Sequence, residues 1–223
     1  MNDKQIILSS IKEALKKPSH KPEIKTEGDA QTLFKEVLPA VGNTFEENLN
    51  LFKKNCEELK TNFYSVNSIE EIAGYLEKLK TEEGWKSVAT HSDDLFKSVC
   101  SRLNLPVVRT NTEYNVDELE RCEASITECD CLVAQTGSVI VSSRSTGGRA
   151  ISVLPPHHIV IAKKEQLAPS LPEAIGLIKQ KYNGNFPSMI SIITGPSRTG
   201  DIERILVLGA HGPKKLTVFL IIE

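Results

Sequence analysis

The densest concentration of reactive side chains is the run Gly195-Pro196-Ser197-Arg198-Thr199-Gly200-Asp201-Ile202-Glu203. Ser197 and Thr199 bring hydroxyls, Arg198 a fork of donors, and Asp201 and Glu203 carboxylates able to act as acid or base. Gly195 and Gly200 let backbone N–H groups turn toward a ligand, as in anion-binding nests. The same groups could instead satisfy the loop's own backbone. Further on, Gly209-Ala210-His211-Gly212-Pro213 is a second glycine-bounded turn, and it carries an imidazole. Upstream, Cys131 to Ala162 contains no Asp or Glu, yet holds Arg144, Arg149, His157 and His158. Such a stretch suits an anionic ligand, or the arginines are surface residues beside the Gly147-Gly148 loop. Adjacent strand residues point to opposite faces, so only one of His157 and His158 can face a given site.

Other chemistries are missing their motifs. There is no G-x-G-x-x-G and no G-x-x-x-x-G-K-[ST] for phosphate, and no G-x-S-x-G elbow for a hydrolase. The cysteines at 56, 100, 122, 129 and 131 are odd in number and lack C-x-x-C pairs. A zinc or iron–sulfur centre normally needs about four ligands. The expectation is free thiols and no metal in this chain.

These residues must be positioned by regular elements. Ile7, Ile11 and Leu15 recur at helical spacing, predicting a helix over Asp3–Lys17. A linker with two prolines follows near 18–29, and helical patterns resume at Gln31–Leu38 and Phe45–Leu59. This N-terminal helical extension, residues 1–60, could serve as a dimer arm, a lid or a cover for the main domain. The segment before Thr26 is expected to be dispensable for folding. Over 61–223 a strand at Asn62–Val66 precedes a helix capped by Ser68 with Glu71 three residues on. A strand at Lys86–Thr90, a helix from His91-Ser92 through Leu103 and a strand at Leu105–Arg109 follow. That alternation predicts an α/β domain with a parallel sheet. Ligands of such sheets sit beyond the carboxyl ends of the strands, where Thr90, His91 and Ser92 lie.

The C-terminal part holds nine of the 13 glycines. It reads as a hairpin (Cys131–Thr136 and Val139–Ser143), strands at Ala150–Leu154 and Ile159–Ala162, a helix at Leu171–Tyr182 and a strand at Met189–Thr194. Ile205–Leu208 and Leu216–Ile222 read as an antiparallel pair turning at His211. If those last strands are neighbours, a four-residue strand of ~13 Å separates the Gly195 loop from the His211 turn. The loop with Arg149 and His158 is then the simpler site. A site shared with His211 needs the loop to fold back, or a second subunit.

With 27 basic and 29 acidic residues the net charge is −2, so no basic field draws in nucleic acid or anionic lipid. The longest apolar runs, such as Leu216–Ile222, fall far short of the ~20 residues of a membrane span. Ile6-Ile7-Leu8 is too short for a secretory signal. A cytoplasmic protein is expected.

In Thr136-Gly137-Ser138, Gly148-Arg149, Leu154-Pro155-Pro156-x-His158, the Gly195–Glu203 run and Gly209-x-His211-Gly212-Pro213 the sequence resembles the lactate-utilisation protein C family of LUD-domain proteins. The resemblance implies a three-layer α/β/α core like that of the ribose-5-phosphate isomerase and coenzyme A transferase group. It implies a part in oxidising L-lactate to pyruvate, as a subunit not catalytic alone, with iron–sulfur clusters in partner subunits and no cofactor in this chain. It leaves a homodimer open. Carried over by motif, the catalytic candidates are Asp201, Glu203 and His211. The ligand-binding candidates, for a small anion, are Thr136, Ser138, Arg149, His158, Ser197 and Thr199. Gln135 stands where the family often has an acid, which removes an acid–base group from that position. The alternatives are a stand-alone enzyme, or a ligand-binding module, for a phosphorylated or coenzyme A-linked small carboxylate.

Overall fold

The computed structural model describes residues 3–16, 38–91, 94–111, 113–200 and 206–223. It comprises two units, Met1–Leu38 and Pro39–Glu223. The first contains helix α1 (Asp3–Lys16), on which Ile7, Leu8 and Ile11 are exposed. The linker near 18–29 and, but for Leu38, the helix expected at 31–38 lie outside the described residues.

Helix α2 (Phe45–Leu59), expected to belong to the N-terminal extension, is part of the second unit. Thr44 and Glu47 start it with a capping box: Glu47 N–H donates to Thr44 Oγ1, and Thr44 N–H to the Glu47 carboxylate. Such reciprocal pairing satisfies the free N–H groups of a first turn. The predicted alternation follows as β1 (Asn62–Val66), α3 (Ile69–Glu83), β2 (Val88–Thr90), α4 (Asp94–Leu103) and β3 (Val107–Arg109). Next come α5 (Val116–Arg121) and β4 (Ala124–Glu128), which the sequence reading did not anticipate. α5 has only six residues, and Ala-Ser-Ile-Thr-Glu is too sparse in large apolar residues to announce a central strand.

Six parallel strands form the main sheet in the order β1, β12 (Lys215–Ile221), β7 (His157–Lys163), β4, β2, β3. The last strand therefore does not pair with its predecessor, as its sequence had suggested. β12 inserts between β1 and β7, where both faces are covered, and its continuous apolar run fits that environment. The preceding strand, β11 (Leu206–Leu208), instead pairs antiparallel with β10 (Arg198–Gly200).

One face of the main sheet is covered by α3 and α4, with Ile72, Leu76, Val99 and Leu103 packed on Ile126, Ile159 and Phe219. The other is covered by Phe52 and Cys56 of α2 and by a second sheet. That sheet has the order β8 (Leu167–Ala168), β5 (Cys131–Val133), β6 (Ser138–Ser142), β9 (Ile190–Ile193). The β5–β6 hairpin is as expected. Helix α6 (Leu171–Tyr182) packs on the second sheet through Ala174, Ile178 and Tyr182. The α/β class holds, with a small sheet and α2 sharing one covering layer. Ala150–Leu154 is not a strand. It folds as turns in which the N–H groups of Val153 and Leu154 both donate to Ala150 O at 2.9 Å, while Ile151 is buried beside Ala89. Among the described residues no helix is long and apolar enough to cross a membrane.

Candidate functional site

The β5–β6 hairpin turns through a short 3-10 segment, Ala134–Thr136, and then Gly137 at φ 63°. This left-handed conformation favours glycine. Space demands it as well, because a Cβ at Gly137 would lie 2.8 Å from Asn55 Cβ. The Asn55 amide of α2 donates to Ala134 O (2.7 Å) and Gln135 O (3.1 Å), fastening the turn to the helix. Gln135 itself donates to Pro39 O at 2.9 Å. On the other side of the turn, Thr136 Oγ1 lies 2.7 Å from Ser138 Oγ, and Ser138 Oγ lies 2.8 Å from Thr194 Oγ1. Three hydroxyls thus run from the hairpin to the last residue before the Gly195 loop. Thr194 was not among the sequence candidates. The antiparallel pairing of β6 with β9, which sets Val139 opposite Ile193, puts it there.

Gly195, at φ 79°, passes so close to α2 that a Cβ would lie 3.2 Å from Leu59 O. The same carbonyl accepts a hydrogen bond from the Arg198 guanidinium. Arg198 therefore holds the loop against the carboxyl end of α2, where backbone carbonyls lack helical partners. The β10–β11 hairpin then folds the chain back. Ser197 N–H donates to Pro213 O at 2.8 Å, and Gly209 N–H donates to Ser197 O at 3.0 Å. The Gly195 loop and the His211 turn are thus direct neighbours within one chain. The strand expected to separate them instead lies in that folded-back hairpin. A groove of about 480 Å³ results, lined by Leu59, Thr194, Gly195, Ser197, Arg198 and His211.

Not every candidate reaches this groove. Thr199 lies on β10 opposite Val207, and Asp201 and Glu203 lie outside the described residues. Arg149 is exposed and donates to Ser188 O at 3.1 Å, beside the start of β9, whereas the groove lies at that strand's end. His158 is a correction: it is 0% exposed, so no ligand can touch it. Its Nε2 lies 2.8 Å from Thr127 Oγ1, and burial pushes its pKa down to about 3, leaving a neutral imidazole in the layer between the sheets. His157 points to the opposite face, between Glu83 Oε2 at 2.9 Å and Thr217 Oγ1 at 2.8 Å. Burial lowers its pKa against the opposing pull of Glu83. Burial works to raise the Glu83 pKa, but hydrogen bonds from Lys215 and His157 outweigh it and hold the carboxyl low. Both histidines thus serve the core.

All five thiols are buried. Burial pushes Cys56 up to about 12 and Cys100 and Cys131 up to about 11, so they stay protonated at neutral pH and are poor nucleophiles. Among the described residues no three His, Cys, Asp or Glu side chains converge as a metal site would require. The groove offers instead hydroxyls, one guanidinium and one imidazole. That set can hold a carboxylate and accept or donate a proton beside it.

Residues 49–221 match the LUD domain family. Among similar curated proteins, Lactate utilization protein C of Anoxybacillus flavithermus is 30% identical over 188 residues, spanning 82% of this chain and 84% of that protein. The protein of the same name from Geobacillus kaustophilus is 31% identical, spanning 82% and 81%. That of Shouchella clausii is 33% identical, spanning 76% and 77%. A crystal structure of a DUF162 family protein from Deinococcus radiodurans has the same fold, with a TM-score of 0.62 at 20% identity, over 80% of this chain and 99% of that one.

Proposed function

Because this chain belongs to the LUD domain family, we propose that it is a cluster-free component of a cytoplasmic system oxidising L-lactate to pyruvate, working beside iron–sulfur partner subunits. Oxidation of the hydroxyl-bearing carbon releases two electrons and two protons. In this reading the electrons pass to the clusters of the partners. The chain supplies the binding of the carboxylate and the handling of a proton.

The observation that carries the reading is the union of the Gly195 loop with the His211 turn through the Ser197–Pro213 and Gly209–Ser197 hydrogen bonds. It sets a guanidinium, an imidazole and the Ser197 hydroxyl around one groove. Arg198 and Ser197 bind the carboxylate oxygens. His211 exchanges a proton with the lactate hydroxyl, a general acid–base role. The Thr194 hydroxyl belongs to the groove lining and is tied through Ser138 to Thr136, while Asp201 and Glu203 stay catalytic candidates by motif alone.

The test is reconstitution. The chain alone, the partner subunits alone and the full set are assayed for lactate-dependent dye reduction. Reduction by the full set only is the expected result. Full activity of the partners without this chain, or dye reduction by this chain alone, would overturn the reading.

A further inference from the structure

A second cavity lies away from the groove, over the carboxyl ends of β4 and β7. Its volume is about 340 Å³, and Glu128, Arg144, Ser145, Lys163, Lys181 and Tyr182 are among its walls. Glu128 and Lys163 are the last residues of the two central parallel strands. Arg144 and Ser145 follow β6, while Lys181 and Tyr182 close α6. Open parallel sheets place ligands in this position, beyond the strands' carboxyl ends.

The charges here are unevenly answered. Lys181 Nζ contacts Asp130 Oδ1 at 2.6 Å, and the Asp130 side chain is only 1% exposed, so that pair is self-contained. Arg144 and Lys163 make no ion pair among the described residues. Glu128 is the one carboxylate in the wall, and its Oε2 turns toward His91 Nε2 at 3.9 Å.

Arg144 is also oriented in advance. Arg144 lies over the Tyr182 ring, 5.4 Å from its centroid, and its Nη2 donates to Asn185 Oδ1 at 2.9 Å. Its backbone is held by Ser142 Oγ, which accepts from the N–H groups of Arg144 (3.3 Å) and Ser145 (3.2 Å). Tyr182 is fixed by hydrogen bonds to Asp130 and Ser142. A fork held by packing and hydrogen bonds loses little freedom when it binds an anion.

We propose that this crevice is a binding site for a small doubly charged oxyanion, a phosphate group or a dicarboxylate, held between Arg144 and Lys163. Two cations without an ion pair, set against the single carboxylate of Glu128, favour a dianion over a monoanion. Glu128 at the rim accepts a hydrogen bond from a hydroxyl of the bound molecule. The site is separate from the Ser197–His211 groove, and the proposal does not rest on the assignment of lactate.

The experiment is titration calorimetry on the full chain at low ionic strength, with inorganic phosphate, malonate and acetate as probes. Phosphate or malonate should bind once per chain, and acetate at least tenfold more weakly. Arg144→Gln and Lys163→Gln should each weaken the bound dianion by about tenfold or more, the scale of one charge-assisted hydrogen bond. Glu128→Gln should tighten it. Binding of phosphate alone identifies a phosphate site, binding of malonate alone a dicarboxylate site, and binding of both a general dianion site. Failure of both dianions to bind at about 10 mM, weaker than any useful metabolite site, would overturn the proposal. So would undiminished binding in folded Arg144→Gln and Lys163→Gln chains. Loss of dianion binding in Ser197→Ala would place the anion in the groove and overturn it equally. The reconstituted lactate assay is unaffected by these outcomes and tests the groove by itself.

Discussion

The Ser197–His211 groove and the crevice over β4 and β7 are built on different principles. The Ser197–His211 groove is made from loops. A hairpin turn, the end of α2 and a folded-back β10–β11 pair meet there, and backbone hydrogen bonds between two glycine-rich turns hold it together. The crevice over β4 and β7 is made from the ends of central strands, and its orienting groups are buried side chains such as Asp130 and Tyr182. The groove presents hydroxyls and an exposed imidazole, whereas the crevice presents two cations, one of them, Arg144, held over the Tyr182 ring. A loop-built site can adjust to a reacting molecule, while a strand-built site fixes the position of charge more rigidly.

The largest effects should come from the glycines that let each region close. Gly137→Ala puts a Cβ 2.8 Å from Asn55 Cβ, and Gly147→Ala puts one 2.4 Å from His91 Cβ, both at positive φ. Left-handed backbone and overpacking together should destabilise each variant by about 2–5 kcal/mol. Equilibrium urea unfolding measures this. A drop confined to Gly137→Ala would show that only the groove side is tightly packed.

Next in size is the groove's chemistry. Ser197→Ala and His211→Ala should each lower lactate-dependent dye reduction by about 10- to 150-fold, with melting temperatures near that of the parent, since a hydrogen bond to a charged ligand contributes ~1.5–3 kcal/mol. Asp201→Asn, at a catalytic candidate carried over by motif, should behave alike. A neutral His211→Ala beside an inactive Ser197→Ala would reduce the site to the Gly195 loop alone.

A third prediction concerns the buried layer between the sheets rather than either site. His158 is neutral and buried, with a folded pKa of about 3 against an ordinary 6.5. The unfolded chain therefore takes up a proton that the folded chain refuses. Stability is intact above about pH 6.5 and declines as pH falls toward 3, by up to about 1.4 kcal/mol per pH unit. The lowered pKa of His157 acts in the same direction. His158→Gln should flatten the acid limb of a stability–pH curve without altering groove activity at neutral pH. An unchanged acid limb would remove His158 as its source.

The smallest effect tests the clamp on the groove. Asn55→Ala deletes the two bonds to Ala134 O and Gln135 O and should lower stability by about 1–2 kcal/mol. A larger loss of activity than of stability would show that α2 positions the hairpin for function.

Local chemistry was legible wherever one segment carries its own signal. The Ser68 cap, the four-residue apolar steps of the helices and the Gly137 turn each encode their structure within a few residues. The candidate site was half legible. Ser197 and His211 stand out by type and by flanking glycines, but Thr194 and Leu59 have no mark of their own and enter the groove only through strand pairing and the end of a helix. Arg149 and His158 looked like ligand groups because of their type, and burial or position took them away from the groove.

By itself, then, the sequence determined the α/β class, most element boundaries, the family resemblance and the two glycine-rich turns. Each of these depends on contacts within a few residues or on a motif read along the chain. Only the tertiary structure decided that β12 enters the parallel sheet, that β4 sits at its centre, and that the Gly195 loop folds back onto the His211 turn. Strand partners far apart in sequence are selected by which faces can be buried together, and an apolar run such as Leu216–Ile222 reads the same beside either neighbour.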